Sequence, residues 1–169
     1  EAAAPAAHAP SPHDRETARR RGDAIHRLLE ALPPLPPEAR APRAEALLAA
    51  AHPELSPELR AGCAAEALAA LAHPDVAPWL APEALAEATL SADLPGGLRL
   101  IGRVDRLALA PGRLRLLDWK TGPAPETAPE AYLRQMAAYR HALAELHPGA
   151  EIEAALFWTA SGRLEILPP

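Results

Sequence analysis

The chain has 169 residues, 49% of them hydrophobic, which is enough for one globular domain with a real core and too few for two full domains. A net charge of −5 argues against a surface that grips nucleic acid by charge alone without excluding a nuclease, and the lone cysteine, Cys63, excludes an internal disulfide, a multi-cysteine zinc site and a self-contained iron–sulfur cluster. The compartment expected from this cysteine usage is reducing and cytoplasmic, and no apolar run approaches the ~20 residues that would span a bilayer.

Glu1–His13 is Ala-rich, broken by Pro5, Pro10 and Pro12, and reads as a linker remnant of a longer chain. From about Asp14 to Leu32, Ala18, Gly22, Ile25, Leu29 and Leu32 recur at helical spacing and predict one buried stripe, ended by Pro33-Pro34, with His26 beside it. The basic run Arg19-Arg20-Arg21 on this helix is read as a solvated face, with a phosphate contact as the alternative. Two Ala/Leu-rich stretches, Glu38–Ala51 and Glu58–Ala72, are bounded by Pro and predict packing helices.

After Pro82 the period changes to two. Leu85–Leu94, Leu98–Leu109 and Arg113–Trp119 predict a three-strand meander with turns at Pro95-Gly96-Gly97 and Pro111-Gly112. A helix over Pro129–Leu146 follows, then strands Ile152–Thr159 and Leu164–Leu167 around a Ser161-Gly162 turn. The expected unit is therefore an α/β layered domain over residues 14–169, helical over 14–81 and strand-rich over 82–169.

Of seventeen basic residues all but Lys120 are Arg, so this one ammonium asks for a task that a planar guanidinium would do badly. In the third strand Leu114, Leu116, Asp118 and Lys120 share a face by the period of two, which puts an acid and an amine into the same space. A turn-linked antiparallel pair can bring Asp105 beside Asp118, and neither has an obvious basic partner in the local sequence. Two such carboxylates repel unless a divalent cation lies between them; the bland alternative pairs Asp105 with Arg103 or Arg106 on an exposed strand.

At these residues the chain resembles the PD-(D/E)xK nucleases, in particular the RecB-like nuclease domain of bacterial helicase–nucleases and most closely that of AddA-type subunits. The matching blocks are Gly22 with His26-Arg27-Leu28-Leu29-Glu30, Gly102-Arg103-Val104-Asp105-Arg106-Leu107, Leu117-Asp118-Trp119-Lys120-Thr121-Gly122, and Gln135 with Tyr139. Val104 stands where the name-giving Pro would be, an absence common among RecB-like members.

The resemblance implies a restriction-endonuclease-like core, a mixed central sheet flanked by helices, with a helical N-terminal segment. It further implies a catalytic Mg²⁺, with Mn²⁺ as a substitute, held by His26, Asp105, Asp118 and the backbone carbonyl of Trp119. Lys120 would then polarise the attacking water, and Gln135 and Tyr139 would contact the DNA strand. Glu87 matches an upstream acid of the family, with a role behind the ligands, on a second metal, or none. The implied activity is hydrolysis of single-stranded DNA, its 3′-terminated strand, during end resection at double-strand breaks, beside a helicase part of the same polypeptide and an AddB-type subunit. No G-x-x-x-x-G-K-[ST] phosphate loop is present in these residues, which puts ATP hydrolysis elsewhere in the protein. The other readings are a non-catalytic nuclease-like domain that binds DNA or a partner subunit, and a stand-alone CRISPR-adaptation nuclease, against which the absence of a four-cysteine cluster argues.

Overall fold

The computed structural model describes residues 11–94 and 96–169, so most of the expected linker Glu1–His13, and Pro95 of the first turn, lie outside the described residues. The Ser11 hydroxyl accepts from the Asp14 N–H at 3.1 Å, and Asp14 Oδ2 accepts from the Ser11 N–H at 2.9 Å. This reciprocal cap, with Pro12 at the first helical position, starts helix α1 before the expected Asp14. α1 spans Pro12–Ala31 and buries Ala24, Ile25, Leu28 and Leu29. Ala18 of the expected stripe is exposed instead, because the first half of the helix runs past the core and carries ion pairs of Arg19 and Arg20 with Glu16 and Asp23.

Helices α2 (Pro37–Ala51) and α3 (Pro57–Ala72) each open with proline in the first turn, where its missing N–H costs nothing. A short 3₁₀ helix at Pro74–Trp79, absent from the sequence reading, buries Val76 and Trp79. The Trp79 carbonyl accepts from Arg106 Nε at 3.3 Å, which occupies the buried guanidinium that had been considered for Asp105.

Strands β1 (Leu85–Leu94), β2 (Leu98–Ala110) and β3 (Arg113–Lys120) form the expected antiparallel meander. Helix α4 (Glu130–Leu146) then crosses over and delivers β4 (Glu151–Trp158) parallel to β3, and β5 (Arg163–Ile166) closes the sheet antiparallel to β4. The order is β1-β2-β3-β4-β5, a mixed sheet with helices on both faces. Among the described residues no helix is long and apolar enough to cross a membrane.

Central β3 is apolar on both faces, as a strand covered on both sides must be. Leu117 and Trp119 pack with Phe157 under α1 and α3, whereas Leu114 and Leu116 pack with Leu156, Met136, Tyr139 and Leu143 under α4. Asp118 and Lys120 continue the second row. The fold therefore places one acid and one amine at the end of a core stripe, where side chains have little freedom.

Gly102 on β2 shows how tightly α4 closes over this end of the sheet. A Cβ there would stand 2.7 Å from Tyr139 Oη, and the tyrosine cannot swing aside because its hydroxyl donates to the Arg103 carbonyl at 3.2 Å. Gly102→Ala is expected to cost about 1–3 kcal/mol of stability, read by denaturant unfolding. Unchanged stability would contradict the close approach.

Candidate active site

A cleft of about 570 Å³ opens at the C-terminal end of β3 and over the middle of β2, between α1 and α4. It is lined by His26, Glu87, Asp105, Asp118, Trp119, Lys120, Gln135 and Tyr139, so every site residue named from sequence meets in one place. Asp23, Arg103, Thr121 and Tyr132 complete the wall. Tyr132 and Asp23 were missed as site residues, although each stands three positions before a named one, Gln135 and His26, and so on the same helix face.

Asp118 is buried, and Lys120 Nζ lies 2.6 Å from its Oδ2, which corrects the expectation of an acid without a basic partner. The ammonium also sits 3.8 Å from the centre of the Tyr132 ring, whose negative face favours a cation. Lys120 is thus held from two sides by groups that fix a point charge.

Asp105 is arranged differently. The β2–β3 register pairs Arg106 with Leu117, and one further step sets Asp105 opposite Asp118. Its Oδ2 accepts the Trp119 N–H at 2.8 Å, and its ion-pair neighbours are not Arg103 or Arg106. Burial and then the charge of Asp118 push its carboxyl up to about 7, against the opposing pull of the Trp119 N–H. A buried carboxylate short of positive charge is what a cation would relieve.

His26 Nδ1 stands 3.7 Å from Asp105 Oδ2, and burial pushes the imidazole below its usual value, so it presents a neutral ring at pH 7. Glu87 on β1 falls between the paired positions Ala86–Arg106 and Ala88–Val104, level with Asp105, and has a left-handed φ of 55°. Such a backbone in a non-glycine residue stores strain and tends to occur at functional sites. Its carboxylate is ion-paired with Arg103 at 2.5 Å.

The two residues expected to contact a DNA strand differ in exposure. Gln135 is exposed and its Nε2 donates to Tyr139 Oη at 3.1 Å, whereas the Tyr139 ring is buried in the α4-side core. The basic run is also resolved: Arg19 and Arg20 pair along α1, and Arg21 pairs with Glu66 on α3.

Two carboxylates and a neutral imidazole are a donor set that suits a hard or borderline divalent ion. Among the described residues no three of His, Cys, Asp and Glu already converge on a point, and Asp118 is paired with Lys120. The residues fit a metal by their chemistry.

A pH dependence follows for the metal-free protein. Because the folded value of Asp105 lies above its ordinary 3.8, its contribution to stability is present below that value and is lost as pH rises through about 7. In EDTA, Asp105→Asn should therefore raise the melting temperature more at pH 8 than at pH 5. Equal gains at both values would contradict the strained acid.

A family model described as the PD-(D/E)XK nuclease superfamily matches residues 4–164. No curated protein matches the chain.

Proposed function

The chain belongs to the PD-(D/E)XK nuclease superfamily, and from that premise we propose that it is the metal-dependent DNA nuclease domain of an AddA-type helicase–nuclease, acting on single strands during double-strand-break end resection. The observation that carries this reading is the complete set Asp105, Asp118 and Lys120 in one cleft with His26 and Gln135. In this reading the nuclease unit covers residues 14–169, its motor belongs to the same polypeptide, and an AddB-type subunit stands beside it in the cytoplasm.

Asp105, Asp118 and the neutral His26 would hold Mg²⁺, or Mn²⁺ in its place, with the Trp119 carbonyl as a further oxygen. When bound, the ion stabilises charge on the phosphoryl oxygens and lowers the pKa of water. Lys120 donates to the attacking water and offsets the negative charge that grows on the phosphoryl oxygens. Gln135, held by Tyr139, contacts the strand and sets its register, while Glu87 keeps Arg103 turned along the wall of the cleft.

The substrate part of the reading is tested by giving the protein one sequence as a single strand and as a blunt duplex, in Mg²⁺ or in EDTA. The single strand is shortened in Mg²⁺, the duplex is spared, and EDTA protects both. Equal cleavage of the duplex would contradict the choice of strand.

A further inference from the structure

Three residues outside the cleft tie α1 to the end of β3. Arg21 on α1 is ion-paired with Glu66 on α3, and Glu66 Oε1 accepts the Thr159 hydroxyl at 2.5 Å. Thr159 directly follows β4, and its N–H donates to the Lys120 carbonyl at 2.9 Å. The chain of contacts thus runs from α1 through α3 to the end of β3. The Glu66 side chain is only 10% exposed and Thr159 is buried, so the carboxylate depends on these two donors in place of water.

The same joint is closely packed. A Cβ on Gly22 would lie 3.0 Å from Thr121 Oγ1, so α1 passes close to the turn after β3 and a side chain there would have to shift the threonine. One turn further along α1 stands His26, facing Asp105.

Resting on the nuclease reading, we infer that Arg21, Glu66 and Thr159 form a positioning clamp that sets the gap between His26 on α1 and the Asp105, Asp118 and Lys120 row on the sheet. None of the three lines the cleft, so they touch neither strand nor metal. Their effect is on metal affinity: a loosened α1 lets His26 retreat from the acids, while Lys120 keeps its Asp118 and Tyr132 neighbours.

The test compares wild type with Glu66→Gln, Thr159→Val and Thr159→Ser. Mn²⁺ is titrated into the cleavage reaction, and Ca²⁺ binding is followed separately by tryptophan fluorescence, to which Trp119 in the cleft contributes. Glu66→Gln and Thr159→Val should each raise the half-saturating metal concentration on the order of 10-fold, the low end of what supporting partners of metal ligands cost. At saturating Mn²⁺ the rate should return to within ~3-fold of wild type, a split that a general loss of folding does not produce. Thr159→Ser restores the hydroxyl and should behave as wild type. A lowered melting temperature with unchanged metal dependence in both variants would overturn the clamp and leave the nuclease reading standing. A wild-type protein indifferent to metal would overturn that reading and the clamp with it.

Discussion

Lys120→Ala lowers the rate of single-strand cleavage about 10²- to 10³-fold at saturating Mg²⁺, the usual cost of removing one preorganised donor from developing negative charge. Lys120→Arg does nearly as badly. The ammonium is wedged between Asp118 Oδ2 at 2.6 Å and the Tyr132 ring at 3.8 Å, a space set for a compact charge, and a guanidinium carries its donors on a wide plane. Metal affinity stays close to wild type in both variants, because the ligands are other residues. Initial rates and Ca²⁺ binding measured on the same samples check both halves. An Arg variant that cleaves at the wild-type rate would show that positive charge alone is needed and would remove the proposed role of Lys120.

Asp118→Ala is expected to lower cleavage at least as far for a different reason, since it removes a proposed oxygen ligand and also leaves Lys120 without its carboxylate. The signature lies in the metal response. With a dissociation constant of ~1 mM assumed for Mg²⁺, 10 mM ion should stabilise the wild-type fold by about 1.4 kcal/mol, or roughly 3–6 °C in melting temperature. In Asp118→Ala most of that shift disappears. Ca²⁺ gives wild type a comparable shift without supporting cleavage, because it fills an oxygen site but activates water poorly. A full Mg²⁺ shift surviving in Asp118→Ala would place the ion elsewhere.

The contrast between the acids could not be read from spacing. Period two put Asp118 and Lys120 on one face, and that geometry serves an ion pair as well as a joint site; the structure shows the pair formed, which leaves Asp105 as the strained acid. Strand periodicity set the limits of β1 and the meander, because half-buried strands write alternation into their sequence. It was silent on the parallel pairing of β3 with β4, since alternation reports the face of a strand and not its neighbour. The 3₁₀ helix at Pro74–Trp79 is too short and too Pro-rich to show a period. Ala18 misled because an alanine at the right spacing looks the same whether its helix has reached the core or not. The clamp of Arg21, Glu66 and Thr159 joins residues far apart in the chain, and no local pattern encodes such a contact.

Hydrolysis of phosphodiester bonds in this cleft with a divalent ion is checked by counting bonds cut per protein molecule on an end-labelled single strand, with Lys120→Ala purified alongside to exclude a contaminating enzyme. Wild type should turn over many times in Mg²⁺ and not at all in EDTA, and Lys120→Ala almost not at all in either. Wild-type and Lys120→Ala protein giving the same count in Mg²⁺, whether zero or many, would contradict hydrolysis in this cleft.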